Sequence, residues 1–167
     1  MNSPRTSLRV AVPMALSALV LSVAGSLSPA SATTYWSYTN DYEGTCLTSS
    51  TSTDSVWTAA CDDSLVTRNW YWGSETFTDW TGITYRRLVS RANGDCLTTD
   101  GKTNTNAVWT APCGGARDQW WNADYREMYN ANGNYLRSSG NGDAVYASPW
   151  GLSGIEETRY KWYGAHS

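Results

Sequence analysis

Hydrophobic positions follow different patterns on the two sides of residue 32. Residues 10–27 form an apolar run preceded by Arg5 and Arg9, and Ala-Ser-Ala at residues 30–32 supplies a small-residue cleavage signal. This arrangement is typical of a secretory signal peptide. Beyond residue 32 the apolar residues come in short clusters, and no stretch approaches the ~20 residues needed to span a bilayer. The pattern predicts a signal peptide over residues 1–32 and a secreted, extracellular protein that is not inserted in a membrane.

The short apolar clusters recur three times in the same order, and each unit contains three motifs. The first motif begins with glycine and reads GTCLT at residues 44–48, GDCLT at 94–98 and GNYLR at 133–137. The second reads VWTAAC at residues 56–61, VWTAPC at 108–113 and VYASPW at 145–150. The third is an aromatic triplet, which reads WYW at residues 70–72, QWW at 119–121 and YKW at 160–162.

The repeats predict one closed domain over residues 33–167. With Trp72, Trp121 and Trp162 taken as equivalent, the spacings are 49 and 41 residues, and the units span about residues 35–84, 85–124 and 125–164. An open array of three units would leave its end faces uncapped. We therefore expect the three units to close into a barrel around a pseudo-threefold axis.

Composition sharpens this picture because aromatic residues outnumber aliphatic ones. After residue 32 the chain has 10 Trp, 11 Tyr and 1 Phe against 13 Leu, Val and Ile, so aromatic rings have to build much of the core. Scarce helix formers and abundant Gly, Thr, Ser and Asn favour short strands and turns, which makes the expected class all-β. The same region carries 10 basic and 15 acidic residues, and this net charge of −5 argues against nucleic-acid binding.

Four cysteines fit an exported protein stabilised by disulfides. They allow three connectivities, but the parallel placement of Cys46 and Cys61 in unit one and of Cys96 and Cys113 in unit two favours one bridge within each unit. Unit three has Tyr135 and Trp150 at the corresponding positions, so we expect an aromatic pair in place of a bridge. No Cys-x-x-Cys pair exists, and the single histidine, His166, lies at the chain end, so no metal site is predicted.

These motifs resemble those of the ricin-B-type β-trefoil, the R-type lectin family marked by Gln-x-Trp triplets, over residues 35–164. Only residues 119–121 match the triplet outright. The resemblance implies a six-stranded barrel capped by three hairpins, with one shallow sugar site per repeat. The fold also serves as a carbohydrate-binding module on secreted bacterial hydrolases, so the resemblance implies a single-domain, secreted bacterial member.

The sugar-binding residues of the family are largely replaced. The family's aspartate, two residues after the first cysteine, is replaced by Thr48, Thr98 and Arg137. Its aromatic platform, two residues before the second cysteine, is replaced by Ala59, Ala111 and Ser148.

An aromatic residue lies two positions before each of these replaced platforms. Strand alternation puts Trp57, Trp109 and Tyr146 on the same face as the lost platform, which suggests that the platform has moved by two residues. Asp100 and Asn106, with Gln119 of the triplet, are the polar candidates beside it. The alternative is that these rings pack beneath the hairpins as part of an aromatic core.

The candidate functions are both non-catalytic. The first is a secreted, lectin-like protein that binds a polysaccharide or a cell-surface glycan. The alternative is a protein-binding trefoil, an adaptor or subunit of a secreted assembly such as a toxin particle or an inhibitor complex, which would use the inserted segment 73–84 with Trp80. Adjacent acidic residues such as Asp62 and Asp63 point to opposite faces of a strand, so no catalytic pair, catalytic residue or cofactor is predicted.

Overall fold

Twelve β-strands and three short 3-10 helices make up residues 32–166, the part of the chain that the computed structural model describes. The signal peptide predicted over residues 1–32 lies outside it, apart from residue 32. In residues 32–166 no helix is long and apolar enough to cross a bilayer. The strands are β1 Trp36–Asn40, β2 Cys46–Ser49, β3 Val56–Ala59, β4 Trp70–Thr78, β5 Thr84–Ser90, β6 Cys96–Thr99, β7 Asn106–Ala111, β8 Trp121–Asp124, β9 Glu127–Asn130, β10 Tyr135–Ser138, β11 Val145–Ser148 and β12 Trp162–His166.

Six of the strands close into a barrel. Antiparallel pairs join β12 to β1, β1 to β4, β4 to β5, β5 to β8 and β8 to β9. A bridge between Glu127 and Lys161 closes β9 against the start of β12. The hairpins β2–β3, β6–β7 and β10–β11 cap one end of the barrel, and the turns β4–β5 and β8–β9 lie at the other end. This arrangement confirms the predicted all-β trefoil.

One buried tryptophan per repeat ties the barrel to its cap. Each indole Nε1 donates to the carbonyl of a fully buried leucine on the first hairpin strand of the same repeat. The pairs are Trp70 with Leu47 at 3.0 Å, Trp121 with Leu97 at 2.8 Å and Trp162 with Leu136 at 3.0 Å. These bonds satisfy donors that would otherwise be buried without a partner.

The equivalence predicted for Trp72 is therefore wrong by two residues. Trp70 occupies the position of Trp121 and Trp162, and the repeat spacings are 51 and 41 residues. Residues two apart on a strand face the same side of the sheet, so the sequence pattern alone could not separate Trp70 from Trp72. The hydrogen bond to Leu47 makes the distinction.

The disulfide prediction is confirmed. Bridges join Cys46 to Cys61 and Cys96 to Cys113, each within one repeat. In repeat three the rings of Tyr135 and Trp150 pack with their centroids 5.2 Å apart, as expected for an aromatic pair in place of a bridge.

Candidate functional site

The three aromatic residues predicted as platforms form a ring within the hairpin cap. The backbone of each one pairs with the neighbouring hairpin. The partner residue there lies two positions before the platform residue of that hairpin. The pairs are Trp57 with Ala144, Trp109 with Ser55 and Tyr146 with Ala107. This cyclic pattern makes the three positions equivalent under the pseudo-threefold axis. All three side chains are half-buried.

The threonines opposite the two tryptophans are not free to bind a ligand. Thr48 pairs across its hairpin with Trp57, and Thr98 pairs with Trp109. Both threonines are buried, and their hydroxyls donate to backbone carbonyls two residues earlier, at 2.9 and 2.8 Å. In repeats one and two, the aromatic ring is therefore the principal group available on this face.

Repeat three places a buried cation against its platform. Arg137 is 4% exposed, and its guanidinium carbon lies 5.0 Å from the centroid of the Tyr146 ring. The guanidinium donates to the Ser148 hydroxyl, the Ser138 carbonyl and the Thr105 hydroxyl, at 2.8, 3.1 and 3.2 Å. Burial lowers the pKa of Arg137, and the nearby positive charge of Arg159 adds to this effect. These hydrogen bonds fix the guanidinium beside the Tyr146 ring, where a cation–π contact is possible.

Gln119 is placed in the frame of the second repeat, not on its surface. The side chain is 4% exposed, and its amide nitrogen donates to the Thr98 hydroxyl at 3.0 Å and the Pro112 carbonyl at 3.1 Å. Its amide oxygen accepts from the Gly114 backbone at 2.7 Å. Both ends of the amide are thus occupied, which leaves Gln119 a positioning residue of the loop.

Asn106 is also fully engaged, whereas Asp100 on the same loop is accessible. Asn106 is 2% exposed, its amide nitrogen donates to the carbonyls of Thr103 and Ala147, and its amide oxygen accepts from the Thr103 backbone. Asp100 is half-buried, with its carboxylate 3.4 Å from the Lys102 amine. Of the polar candidates, Asp100 alone can meet a ligand at the surface.

Trp80 stands on a braced turn at the barrel end away from the cap. The Asp79 carboxylate accepts from the Thr81 hydroxyl at 2.6 Å, the Thr81 backbone at 2.9 Å, the Ile83 backbone at 3.1 Å and the Tyr85 hydroxyl at 3.1 Å. These bonds, with that of the Thr81 hydroxyl foremost, lower the pKa of Asp79. Burial, assisted by Asp79, raises the pKa of Tyr85 to about 12. Trp80 itself is 94% exposed.

Other residues of the β4–β5 hairpin pack against repeat two. The Phe77 ring lies 6.0 Å from the Trp120 ring, and the Arg117 guanidinium lies 5.2 Å from the Phe77 centroid. Phe77 thus packs against repeat two, whereas Trp80 on the same hairpin stays exposed.

The open barrel end is lined by aromatic rings that were not predicted as binding residues from the sequence. Trp72 Nε1 donates to the Tyr38 hydroxyl at 2.8 Å, and the Trp36 ring stacks on Tyr38 with centroids 6.3 Å apart. Burial raises the pKa of Tyr38 well above its usual range. A Cβ at Gly164 would lie 3.0 Å from Tyr38 Cε1, so a small residue is needed there for the rings to cover the barrel end.

Two adjoining hollows lie at this open end. The first, of about 270 Å³, has Trp36 and Arg126 in its lining, and the second, of about 200 Å³, has Arg86. Trp72 and Ala123 line both hollows. The two spaces therefore meet over β4 and β8.

The β8–β9 turn continues the surface outward from Arg126. Tyr125 and Arg126 both have positive φ, at 54° and 66°, in a turn that normally takes Asn-Gly. Tyr125 is 92% exposed, and Arg126 donates to the Tyr163 hydroxyl at 3.1 Å. A groove of about 600 Å³ lies between Tyr125 and Tyr163, with Lys161 and Glu157 in its lining.

Within residues 32–166 no group of three or more His, Cys, Asp or Glu side chains is placed to hold a metal ion. The Asp62 carboxylate accepts from the hydroxyl and backbone of Ser64, and these bonds lower its pKa. A lowered pKa is the opposite of what a carboxyl general acid needs near neutral pH.

A correct alignment of the repeats would have exposed the open-end residues. Once Trp70 is aligned with Trp121 and Trp162, Trp72 aligns with Ala123 and Gly164, and becomes a large side chain without a counterpart. The predicted equivalence of Trp72 with Trp121 and Trp162 placed Trp72 among the core tryptophans, so this difference between the repeats was not apparent.

Comparisons with known proteins agree on the fold. No protein-family model and no curated protein matches the chain. A designed threefold-symmetric protein, ThreeFoil, is 18% identical, with 78% of this chain and 97% of that chain covered and a TM-score of 0.60. The C-half of an earthworm R-type lectin, solved with GalNAc, is 13% identical, with coverages of 80% and 99% and a TM-score of 0.55.

An enzyme contains a similar module. An exo-beta-1,3-galactanase from Clostridium thermocellum is 15% identical, with 82% of this chain but only 31% of that chain covered and a TM-score of 0.64. Together with ThreeFoil and the earthworm lectin, it confirms the β-trefoil fold.

Proposed function

We propose that the protein is a secreted, non-catalytic glycan-binding protein that recognises a polysaccharide or a cell-surface glycan. The observation that carries the proposal is the ring of three equivalent, half-buried aromatic residues in the hairpin cap, Trp57, Trp109 and Tyr146. An earthworm lectin solved with GalNAc shares the fold and lends it support.

Aromatic rings suit sugars because the apolar C–H face of a pyranose packs on an aromatic face, while its hydroxyls form hydrogen bonds at the edge. Here Asp100 provides an accessible carboxylate, and the Arg137 guanidinium lies against one of the rings. Each site is shallow, so each binds weakly. Three sites on one rigid body gain avidity on a polymer or a surface that presents many copies of the sugar.

Replacing all three platform residues, as W57A/W109A/Y146A, is expected to abolish retention on the glycan that the purified wild-type protein binds. Pull-down on insoluble cellulose, chitin, xylan and β-1,3-glucan, together with a glycan array, identifies that ligand. The single variant Trp109→Ala should weaken binding about threefold with Tm within about 3 °C of wild type, because a half-buried ring contributes less to folding than a core ring.

The control for this experiment is Trp80→Ala, which removes an exposed tryptophan at the other end of the barrel and should retain full glycan binding. Unchanged glycan retention by a folded triple variant would refute the platform. A drop of many degrees in the Tm of Trp109→Ala would instead assign the ring to the core.

A protein-binding function is the second candidate, and the exposure of Trp80 favours it. Trp80 is 94% exposed, and four hydrogen bonds to Asp79 fix the turn that carries it, which lowers the entropic cost of ordering this turn in an interface. Exposed aromatics of this kind are enriched among interface hot spots.

Trp80→Ala is expected to remove a co-purifying protein partner and to leave glycan retention and Tm unchanged. The measurement is size-exclusion chromatography of the wild-type and variant proteins from culture supernatant, with mass identification of what co-elutes. Tyr125→Ala, which removes another exposed aromatic, serves as the matched control. A wild-type protein that elutes alone at roughly 15 kDa would exclude this second function.

A further inference from the structure

The pseudo-threefold axis is broken at the open barrel end in a way that creates space. The second residue after each core tryptophan is Trp72, Ala123 or Gly164, one large and two small side chains. Trp72 forms a wall of two hollows of about 270 and 200 Å³, and the small Ala123, which also lines both, leaves them open. The open end therefore offers concave space with aromatic walls.

The rim of this end carries two arginines at equivalent positions. Each repeat has one residue opposite the core tryptophan of the adjoining strand. Trp36 pairs with Trp70, and Arg86 pairs with Trp121. In the third case the Arg126 carbonyl accepts a hydrogen bond from the Trp162 backbone N–H at 2.8 Å. One hollow has Arg126 in its lining, and the other has Arg86.

Both arginines are available to an anion. Among residues 32–166, the ion pairs within 4.0 Å involve Arg87, Lys102 and Lys161, and neither Arg86 nor Arg126 takes part in one. Both side chains are exposed, and Arg126 uses one donor toward Tyr163. A guanidinium presents a planar fork of donors that matches a carboxylate.

The backbone at Arg126 adds an independent observation. Tyr125 and Arg126 hold left-handed φ angles of 54° and 66°, a conformation that favours glycine or asparagine. Such outliers cluster at functional sites. Here one of the two outliers is Arg126 itself.

We propose that the open barrel end binds a short run of uronic acid units in an acidic polysaccharide, with sugar rings against Trp36 and Trp72 and one carboxylate at each of Arg86 and Arg126. The proposal rests on the glycan-binding function proposed above and assigns a second site, with its own ligand class. Among the described residues, the Tyr38 hydroxyl accepts from Trp72 and has no acceptor for its own proton, which leaves a donor for a sugar oxygen in the first hollow.

Biolayer interferometry on immobilised polygalacturonate, alginate and hyaluronan tests this site. Each polymer is compared with its carboxyl-reduced form, which keeps the same chain without the charge. The wild-type protein should bind at least one acidic polymer roughly tenfold more tightly than the reduced form, because hydrogen bonds to a charged group are stronger than those to a neutral one. Raising the salt concentration should weaken this binding.

Variants then locate the contact. Arg86→Gln and Arg126→Gln should each weaken binding of the acidic polymer about tenfold, and Trp72→Ala should weaken both the acidic and the reduced forms. Lys102→Gln removes the same charge at the cap end and should have no effect. Equal binding of acidic and reduced polymers, or full binding by the R86Q/R126Q variant, would overturn the proposal.

The outcomes also separate this site from the cap platforms. One outcome keeps the proposed function and rejects the open-end site. In it, the protein binds neutral glycans and shows no preference for acidic polymers, W57A/W109A/Y146A abolishes this binding, and R86Q/R126Q leaves it unchanged. A wild-type protein that retains no polysaccharide of either kind rejects both.

Discussion

Trp121→Ala is expected to lower the free energy of unfolding by about 3–5 kcal/mol and Tm by roughly 10–25 °C. Trp121 has no exposed surface, and its indole nitrogen donates to the Leu97 carbonyl at 2.8 Å. Truncation removes the largest side chain of the local core, leaves a cavity and deprives a buried carbonyl of its donor. Since domains of this size are typically stable by about 5–15 kcal/mol, the loss is a large share of the total.

The pseudo-threefold axis makes this prediction stricter. Trp70→Ala and Trp162→Ala remove the same ring and the same hydrogen bond, so each should cost as much as Trp121→Ala to within about 1 kcal/mol. Trp72→Ala removes a half-buried ring and should cost clearly less. Urea denaturation followed by tryptophan fluorescence and circular dichroism measures all four. A Trp72 variant as unstable as the Trp121 variant, beside a mild Trp70 variant, would contradict the repeat register.

The recurrence of short motifs was enough to predict the fold, because a repeated motif implies a repeated environment. Gly-x-Cys-Leu-Thr recurs at the start of each of the first two hairpins. The backbone carbonyl of its buried leucine accepts the hydrogen bond from the core tryptophan. The motif pattern could not fix the register of the first repeat. Trp70 and Trp72 point to the same side of β4, and only the contact with Leu47 distinguishes them.

The polar candidates were harder to place because residue type does not reveal burial. Asn106 and Gln119 are typical ligand-binding amides, yet other protein groups satisfy both ends of each amide. Thr103 and Gly114, whose backbone N–H groups donate to the two amide oxygens, lie only three and five residues away. Their arrangement depends on loop conformation, which no periodic pattern encodes.

The open-end residues are scattered along the chain, and barrel closure brings them together. Trp36, Trp72, Ala123 and Gly164 come from four different strands, β1, β4, β8 and β12. No local motif links them. Symmetry breaking between aligned repeats is the sequence signal that could have identified them, and it becomes visible only in the correct register.

Removal of either disulfide, as C46A/C61A or C96A/C113A, is expected to lower the free energy of unfolding by about 2–4 kcal/mol. The bridges close loops with sequence separations of 15 and 17 residues, for which the chain-entropy model gives roughly 3 kcal/mol each. Alanine is the appropriate replacement because Cys46 and Cys96 are buried, and serine would place an unpartnered hydroxyl there. Removing both bridges should therefore take most of a typical domain's stability.

Repeat three provides an internal reference for these two variants. Its Tyr135–Trp150 pair, with centroids 5.2 Å apart, occupies the place of a bridge, and such pairs contribute about 0.5–1.5 kcal/mol beyond the area they bury. Tyr135→Ala tests that contact without altering a covalent bond, and should cost less than the loss of either bridge if the cross-links act by restricting the unfolded chain. Urea midpoints of the three proteins, measured with and without reductant, decide the order. If reductant left the wild-type midpoint unchanged while both bridges were shown to be open, then packing, not cross-linking, would hold all three repeats alike.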